Sequence, residues 1–415
     1  MLVEMKIDRV DSFLLSYPLA APVVLPYYGG ERTIVKRDAM LIRVRTENGL
    51  VGYGPGQGSE ALHQRIQSVV APFLAGRLLA DPDALRVQFE LAAGRDPELY
   101  KAYCCVEVAL YDLLGKAYGA PVSELVGGRV RPSIRLYASA GMYQSPEGYA
   151  AEAAGVKELG YSAYKMRPAL GPEDDLKTVR LMREAVGDGM DLMVDAHSWW
   201  RMGDRSYSAE TVQRLAGEMS EHVVAWLEEP LPPQDHAAYA RLRAAQHTPI
   251  AAGEHEPDEA GFQDLMLGEC VDFVQMDVVC QGGYTAGRRI ITAAGRAGLR
   301  FAFHCWGTDL EALAAAHMGI CFPESVTEWL EYPVYSTPRL KTMYPFPLAQ
   351  DILKEPLPIA HGELVVPEGP GLGIDVDESV IERYPWIPGP WSFFKLHSPP
   401  GTFAVTGDHS IPWAG

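Results

Sequence analysis

Apolar and polar residues alternate from Ala39 to Thr46 and again from Leu50 to Gly54, and Asn48-Gly49 lies between the two runs. That dipeptide supplies the positive φ angles of a tight turn, so the segment predicts a β-hairpin. Val106 to Tyr118 is apolar at helical spacing and stops at Gly119, which predicts a helix closed by a C-terminal glycine. From about residue 133 the texture changes. Short β-branched or aromatic runs at 134–140, 162–167, 190–196, 223–229, 249–254, 270–278, 299–305 and 325–332 alternate with amphipathic stretches such as 172–186 and 208–222. Eight strands alternating with helices in this way predict an α/β fold, a TIM-type (β/α) barrel. The competing arrangement, a doubly wound sheet, calls for a glycine-rich phosphate turn after an early strand, and none is found.

Beyond residue 340 proline and glycine break the pattern, and Pro367-Glu-Gly-Pro-Gly-Leu-Gly373 cannot lie inside a long element. The expected organisation is an α+β domain over 1–130, a barrel over 131–340 and a closing segment over 341–415. Trp386, Trp391, Phe393, Phe394 and Trp413 in that last segment predict docking onto another surface.

Composition narrows the function. The 415 residues carry a formal net charge of −18, which argues against nucleic acid and anionic membrane surfaces as partners. None of the six cysteines forms a C-x-x-C pair, and a chain of this size needs no disulfide staples, so reduced thiols and a cytoplasmic location are expected. The N-terminus has no continuous apolar stretch of the signal-peptide kind, and no run is long enough to span a bilayer.

In a β/α barrel the reacting groups stand at the C-terminal ends of the strands. Here the second strand ends in Lys165-Met-Arg167, the third in Asp195-Ala-His197, the fourth in Glu228-Glu-Pro230 and the fifth in Gly253-Glu254-His255. The sixth, seventh and eighth end in Asp277, His304 and Glu331. A single carboxylate at a strand end is commonly a solvated loop residue; a charged group recurring at seven successive strand ends is the signal. Asp195, Glu228 and Glu254 would converge and repel unless a hard divalent cation held them, and all-oxygen ligation points to Mg²⁺ in preference to Zn²⁺. The bland alternative is a carboxylate cluster neutralised by Lys165 and Arg167.

These strand ends, with Trp226-Leu-Glu-Glu-Pro230, Gly253-Glu254, Gln275-Met-Asp-Val-Val-Cys-Gln-Gly-Gly283, Trp329-Leu-Glu331 and the helix from Val106 into Gly128, resemble the mandelate racemase/muconate lactonizing branch of the enolase superfamily over nearly the whole chain. The resemblance implies a modified (β/α)7β barrel, capped by an α+β domain that the N-terminal and C-terminal segments form together. It implies removal of a proton α to a carboxylate, with Asp195, Glu228 and Glu254 on Mg²⁺. Asp277 and His304 resemble the family's dyad, the carboxylate orienting the imidazole base. Glu331 resembles the acid that hydrogen-bonds the substrate carboxylate.

The second strand departs from the family's racemases, which carry Lys-x-Lys there. Arg167 stays protonated and cannot be a base, although it can hold a carboxylate or hydroxyl oxygen. His197, two residues beyond Asp195, falls on the same strand face and suits a general acid. The expected activity is therefore a Mg²⁺-dependent hydro-lyase acting on a small-molecule carboxylate. The substrate is an aldonate or aldarate, dehydrated to a 2-keto-3-deoxy acid. Lys165 and Arg167 would stabilise the enediolate, and Trp306, Tyr27 and Tyr28 would contact substrate. A racemase, epimerase or cycloisomerase using Lys165 as a second base is the rival within the family, and a binding protein on a retired enzyme scaffold is the rival outside it. Family resemblance further suggests a homo-oligomer, from dimer to octamer.

Overall fold

The computed structural model describes residues 5–28, 30–94, 96–142, 144–168, 170–202, 205–245, 247–338, 340–341, 343–396 and 401–405. The N-terminal sheet is built on two long antiparallel strands, β1 (Ile7–Tyr27) and β2 (Gly30–Thr46). The Asn48-Gly49 turn leads β2 into β3 (Val51–Gly56), pairing Met40 with Gly56 and Arg45 with Val51, so the predicted hairpin forms. The helix behind it, Pro97–Tyr118, starts nine residues before the predicted Val106, because the Asp96 carboxylate caps the amides of Glu98 and Leu99 and proline occupies the first turn. It ends at Gly119 in the left-handed conformation, φ 67°. Gly52 and Gly54 let β3 lie directly on this helix: a Cβ at Gly52 would stand 2.2 Å from the Ala109 carbonyl oxygen.

All eight predicted barrel strands are present: β4 (Ser133–Met142), β5 (Ala163–Arg167), β6 (Asp191–Asp195), β7 (Val224–Glu228), β8 (Ile250–Ala252), β9 (Phe273–Met276), β10 (Arg300–Phe303) and β11 (Thr327–Pro333). Each pairs in parallel with the next, and β11 pairs with β4, which closes the barrel. A helix follows each of the first seven strands, the (β/α)7β arrangement. A short hairpin, β12 (Ile359–Ala360) and β13 (Glu363–Val365), attaches to the barrel through β13, which pairs antiparallel with β4. The chain then crosses to the N-terminal sheet, where β14 (Ser392–Leu396) pairs with β2 and β15 (Gly401–Val405) with β14. Trp391 and Phe394 are buried there, as docking of the aromatic segment requires; Trp413 lies outside the described residues. Among the described residues no helix is long and apolar enough to cross a membrane.

The barrel interior is layered by the two-residue period of its strands. One layer takes a residue from every strand: Tyr137, Ala163, Met193, Trp226, Ala251, Phe273, Ala302 and Trp329. Moving two residues toward the C-terminal end of each strand gives Ser139, Lys165, Asp195, Glu228, Gly253, Gln275, His304 and Glu331. The apolar plug is thus the floor on which a polar layer stands.

Candidate active site

That polar layer is buried and dense with charge. Lys165 on β5 reaches across to β7 and β11, its Nζ 2.8 Å from Glu228 Oε1 and 2.9 Å from Glu331 Oε1. Two neutral donors, Trp226 Nε1 at 3.1 Å and Gln275 Nε2 at 2.9 Å, meet the other Glu228 oxygen. Arg167, one pleat higher, grips Asp195 Oδ2 through Nε at 2.8 Å and a terminal nitrogen at 2.7 Å. His197 Nδ1 lies 2.7 Å from the other Asp195 oxygen and 3.5 Å from Glu254 Oε1.

His304, just past β10, faces Asp277 with Nδ1 at 3.1 Å. Its Nε2 points into the shared space, 2.7 Å from Glu254 Oε2 and 3.7 Å from Glu331 Oε2. Asp277 is fixed from behind by the amides of Val279 and Cys280. Gln281 ties this turn to β8, donating to the Glu254 carbonyl at 2.5 Å while its own side-chain oxygen accepts from the Asp277 amide. Gly253 allows β8 to end so abruptly: at φ +138° a Cβ would stand 2.1 Å from the Gln275 carbonyl oxygen.

Burial acts on each of these groups first, and the neighbours then decide. It raises Glu228 to about 8, with Asp195, Glu254 and Glu331 adding to the rise and Lys165 opposing it. It would raise Asp195 too, but Arg167, His197 and Lys165 together hold that carboxyl well below its ordinary range. It would lower Lys165, but the surrounding carboxylates keep it charged. It would lower His304, yet Glu254, Glu331 and Asp277 win and the imidazole is held well above its ordinary value. His197 goes the other way: burial, helped by Arg167 and resisted by Asp195, brings it down to about 4.

The expected residues Lys165, Arg167, Asp195, His197, Glu228, Glu254, Asp277, His304 and Glu331 therefore share one mouth. Trp306 stands at its edge, its ring centroid 4.7 Å from the Arg167 guanidinium carbon. Tyr28 lies further out, edge-on to Tyr207 at 6.2 Å and under the Arg205 guanidinium. The side chain of Tyr27 and Gly29 lie outside the described residues. His255 pairs with Glu229, its Nδ1 2.5 Å from Glu229 Oε2 and 3.4 Å from Glu254 Oε1, and Glu229 itself takes an uncommon φ of 41° at the end of β7. The ligand-capable atoms of Glu229, Glu254 and His255 all lie within 4.8 Å of one another, so Glu254 belongs to two acidic groupings at once. Sequence reasoning did not single out Gln275, which reads as one polar residue in an apolar strand; the two-residue period from Phe273 was the signal that could have found it.

The donor set suits a hard divalent cation. Asp195, Glu228 and Glu254 offer carboxylate oxygens alone, and neither Glu254 oxygen has a donor in hydrogen-bonding geometry although both are buried.

A closed barrel with acidic, imidazole and ammonium groups at the C-terminal ends of its strands, under an α+β cap, defines the enolase type of fold. Residues 148–380 match the family described as "Enolase C-terminal domain-like", and residues 18–127 match "Mandelate racemase / muconate lactonizing enzyme, N-terminal domain". The chain belongs to the mandelate racemase/muconate lactonizing enzyme family. It is 30% identical to D-galactarolactone cycloisomerase of Agrobacterium fabrum over 92% of this chain and 99% of the relative. It is 31% identical to L-rhamnonate dehydratase of Saccharopolyspora erythraea over 91% of this chain and 94% of the relative. The crystal structure of an enolase superfamily member from Polaromonas sp. JS666 superposes with a TM-score of 0.80, at 29% identity, covering 93% of this chain and 99% of that one.

Proposed function

We propose that this protein is a Mg²⁺-dependent hydro-lyase that converts a sugar acid to its 2-keto-3-deoxy acid. The observation that carries the reading is His304, oriented by Asp277 on one ring nitrogen and turned into the charged space, against Glu254, with the other. Residues 131–340 are the catalytic barrel, with 1–130 and 341–415 forming its cover. Asp195, Glu228 and Glu254 would hold Mg²⁺, which supplies positive charge against the substrate carboxylate.

The protein's own groups do the rest. Arg167 and Lys165 hold the carboxylate as negative charge builds on it. His304 Nε2 takes the C2 proton, and the electron pair of the C2–H bond moves into the enediolate. Glu331 shares a proton with a carboxylate oxygen. The enediolate collapses, the C3–O bond breaks, and His197 protonates the departing hydroxyl so that it leaves as water. The enol left behind tautomerises to the ketone. His197 is neutral at rest, so it gains its proton only as the anionic substrate and the charge growing on the leaving oxygen raise its affinity. Trp306 packs on the carbon chain at the mouth.

That same resting neutrality favours a second reading. An isomerase would remove the C2 proton with His304 and never ask His197 for one, and the likeness to a cycloisomerase supports it. A panel of aldonates and aldarates incubated with Mg²⁺ and assayed for 2-keto-3-deoxy acids separates the two. The hydro-lyase yields such a product from at least one acid. Isomerised acid with no keto product sinks the dehydration.

A further inference from the structure

Arg37, on β2 in the cap, is 3% exposed. Its guanidinium carbon lies 4.3 Å from the Tyr344 ring centroid and 4.8 Å from that of Trp391, between the two rings. Two of its three nitrogens, Nε and a terminal one, are buried without a hydrogen-bond acceptor. A guanidinium taken out of water with N–H groups unmatched is costly, and ring faces offset only part of that cost. The group borders a small cavity, about 50 Å³, between cap and barrel, whose wall also includes Gln57, Asp277, Trp306 and Gly307.

The acids on that wall are already engaged. Asp38 pairs with Lys36 at 3.0 Å and accepts from the Ser16 hydroxyl. Asp277 is occupied by two amides and His304. Glu311 is taken up by the Cys305 side chain and the Trp306 backbone, and burial and Asp277 push it well above its ordinary value.

Cation and ring alternate from the barrel site to this point: Arg167 faces Trp306, Trp306 packs on Tyr344 at 4.6 Å, and Tyr344 faces Arg37. A carbon chain running along Trp306 and Tyr344 with its reacting carboxylate at Arg167 would bring its far end to Arg37.

We propose that Arg37 receives the distal carboxylate of the substrate, making the protein selective for sugar diacids over monoacids. The inference rests on the hydro-lyase reading for its substrate class. A diacid supplies the missing acceptor as a charge-assisted hydrogen bond. The terminal hydroxyl of a monoacid leaves the guanidinium underpaired, and such unmatched polar groups are the strong discriminators in binding sites.

The test compares kcat/KM for aldarates and for aldonates of matching configuration, in the wild type, Arg37→Met and Arg37→Lys. The wild type should favour the diacid by at least about 30-fold, the scale of a hydrogen bond to a charged group. Arg37→Met should lower that ratio by at least about 10-fold, and Arg37→Lys should restore part of it. Circular dichroism checks that the variants are folded. A wild type without diacid preference, or a ratio unmoved in Arg37→Met, overturns the proposal. If no acid is turned over, the hydro-lyase reading fails separately, and calorimetry with adipate and hexanoate decides: tighter adipate binding lost in Arg37→Met supports Arg37 as the receptor, and equal binding overturns it.

Discussion

His304 and His197 are both imidazoles in one mouth, and their surroundings drive them apart: carboxylates hold the first above its ordinary value, while burial and Arg167 hold the second below. With the carboxylates bare, these shifts run opposite to the roles proposed above; a cation on Glu254 would take away the strongest neighbour that holds a proton on His304 and leave that imidazole able to accept one. If His304 is the base, His304→Asn removes both the keto product and solvent exchange at C2, a loss of at least about 100-fold in turnover. His197→Asn loses the product to a similar degree but keeps the exchange, because C2 is still deprotonated and reprotonated. Proton NMR in D₂O reads both signals; loss of exchange in His197→Asn would remove it from the leaving-group step. At this scale the sequence was most legible, since strand ends bearing one ionisable group each are visible without coordinates. Arg37 was not, because Lys36-Arg37-Asp38 reads as ordinary surface charge and its isolation appears only when Tyr344 and Trp391 fold against it.

The barrel strands were legible for the reason that makes them strands: apolar β-formers needed on both faces of a parallel sheet. β8 is shorter than its sequence run because Gly253 leaves the β path at φ +138° to pass the Gln275 carbonyl. Gly253→Ala would push a methyl into that oxygen and strain the backbone, so urea unfolding should show a loss of about 3 kcal/mol or more, or no folded protein. A loss under about 1 kcal/mol would mean that β8 can end in another way. β1 was not read as a strand, since Pro18, Pro22 and Pro26 speak against one; the structure accommodates them with a register shift between Pro18 and Val23.

Helix-to-loop packing also carries a titration. His317, on the helix Asp309–Gly319, accepts from the Ser123 amide at Nδ1 and donates from Nε2 to the Leu372 carbonyl. Burial brings it down to about 4. Its folded value lies below its unfolded value near 6.5, so the unfolded chain binds the extra proton and stability falls as pH drops from about 6.5 to about 4. The slope should total about 3 kcal/mol at most, and His317→Gln should flatten that part of a denaturation-against-pH curve.

Over the whole molecule the function depends on a cap seated on a barrel, and the seat is polar at its centre. Glu107, on the long cap helix, is fully buried and accepts from the Tyr284 and Thr285 amides and the Thr285 hydroxyl, at the start of the barrel helix Thr285–Arg296. Arg86 lies 3.6 Å away with no exposure of its own. Glu107→Ala would leave Arg86 with Glu90, 2.5 Å away, as its carboxylate partner and would uncap the barrel helix, costing about 2–3 kcal/mol in urea unfolding. A cost below about 1 kcal/mol would show that the two parts dock without it. This joint was invisible in the sequence, where Glu107 and Thr285 are 178 residues apart. The return of the chain to the cap was implied by the family resemblance, but its pairing as β14 on β2, which covers Arg32 and Arg37 with Trp391, was not.

The central claim is that His304 starts the reaction by taking the proton α to a carboxylate and that elimination follows. The most direct measurement is a single reaction in D₂O with Mg²⁺ and a C2-deuterated sugar acid beside its unlabelled twin, followed by NMR. The account predicts a 2-keto-3-deoxy acid that forms more slowly from the deuterated acid and is absent with His304→Asn. Deuterium entering C2 of unlabelled acid with inverted configuration and no keto product, or product formation undiminished in His304→Asn, would contradict it.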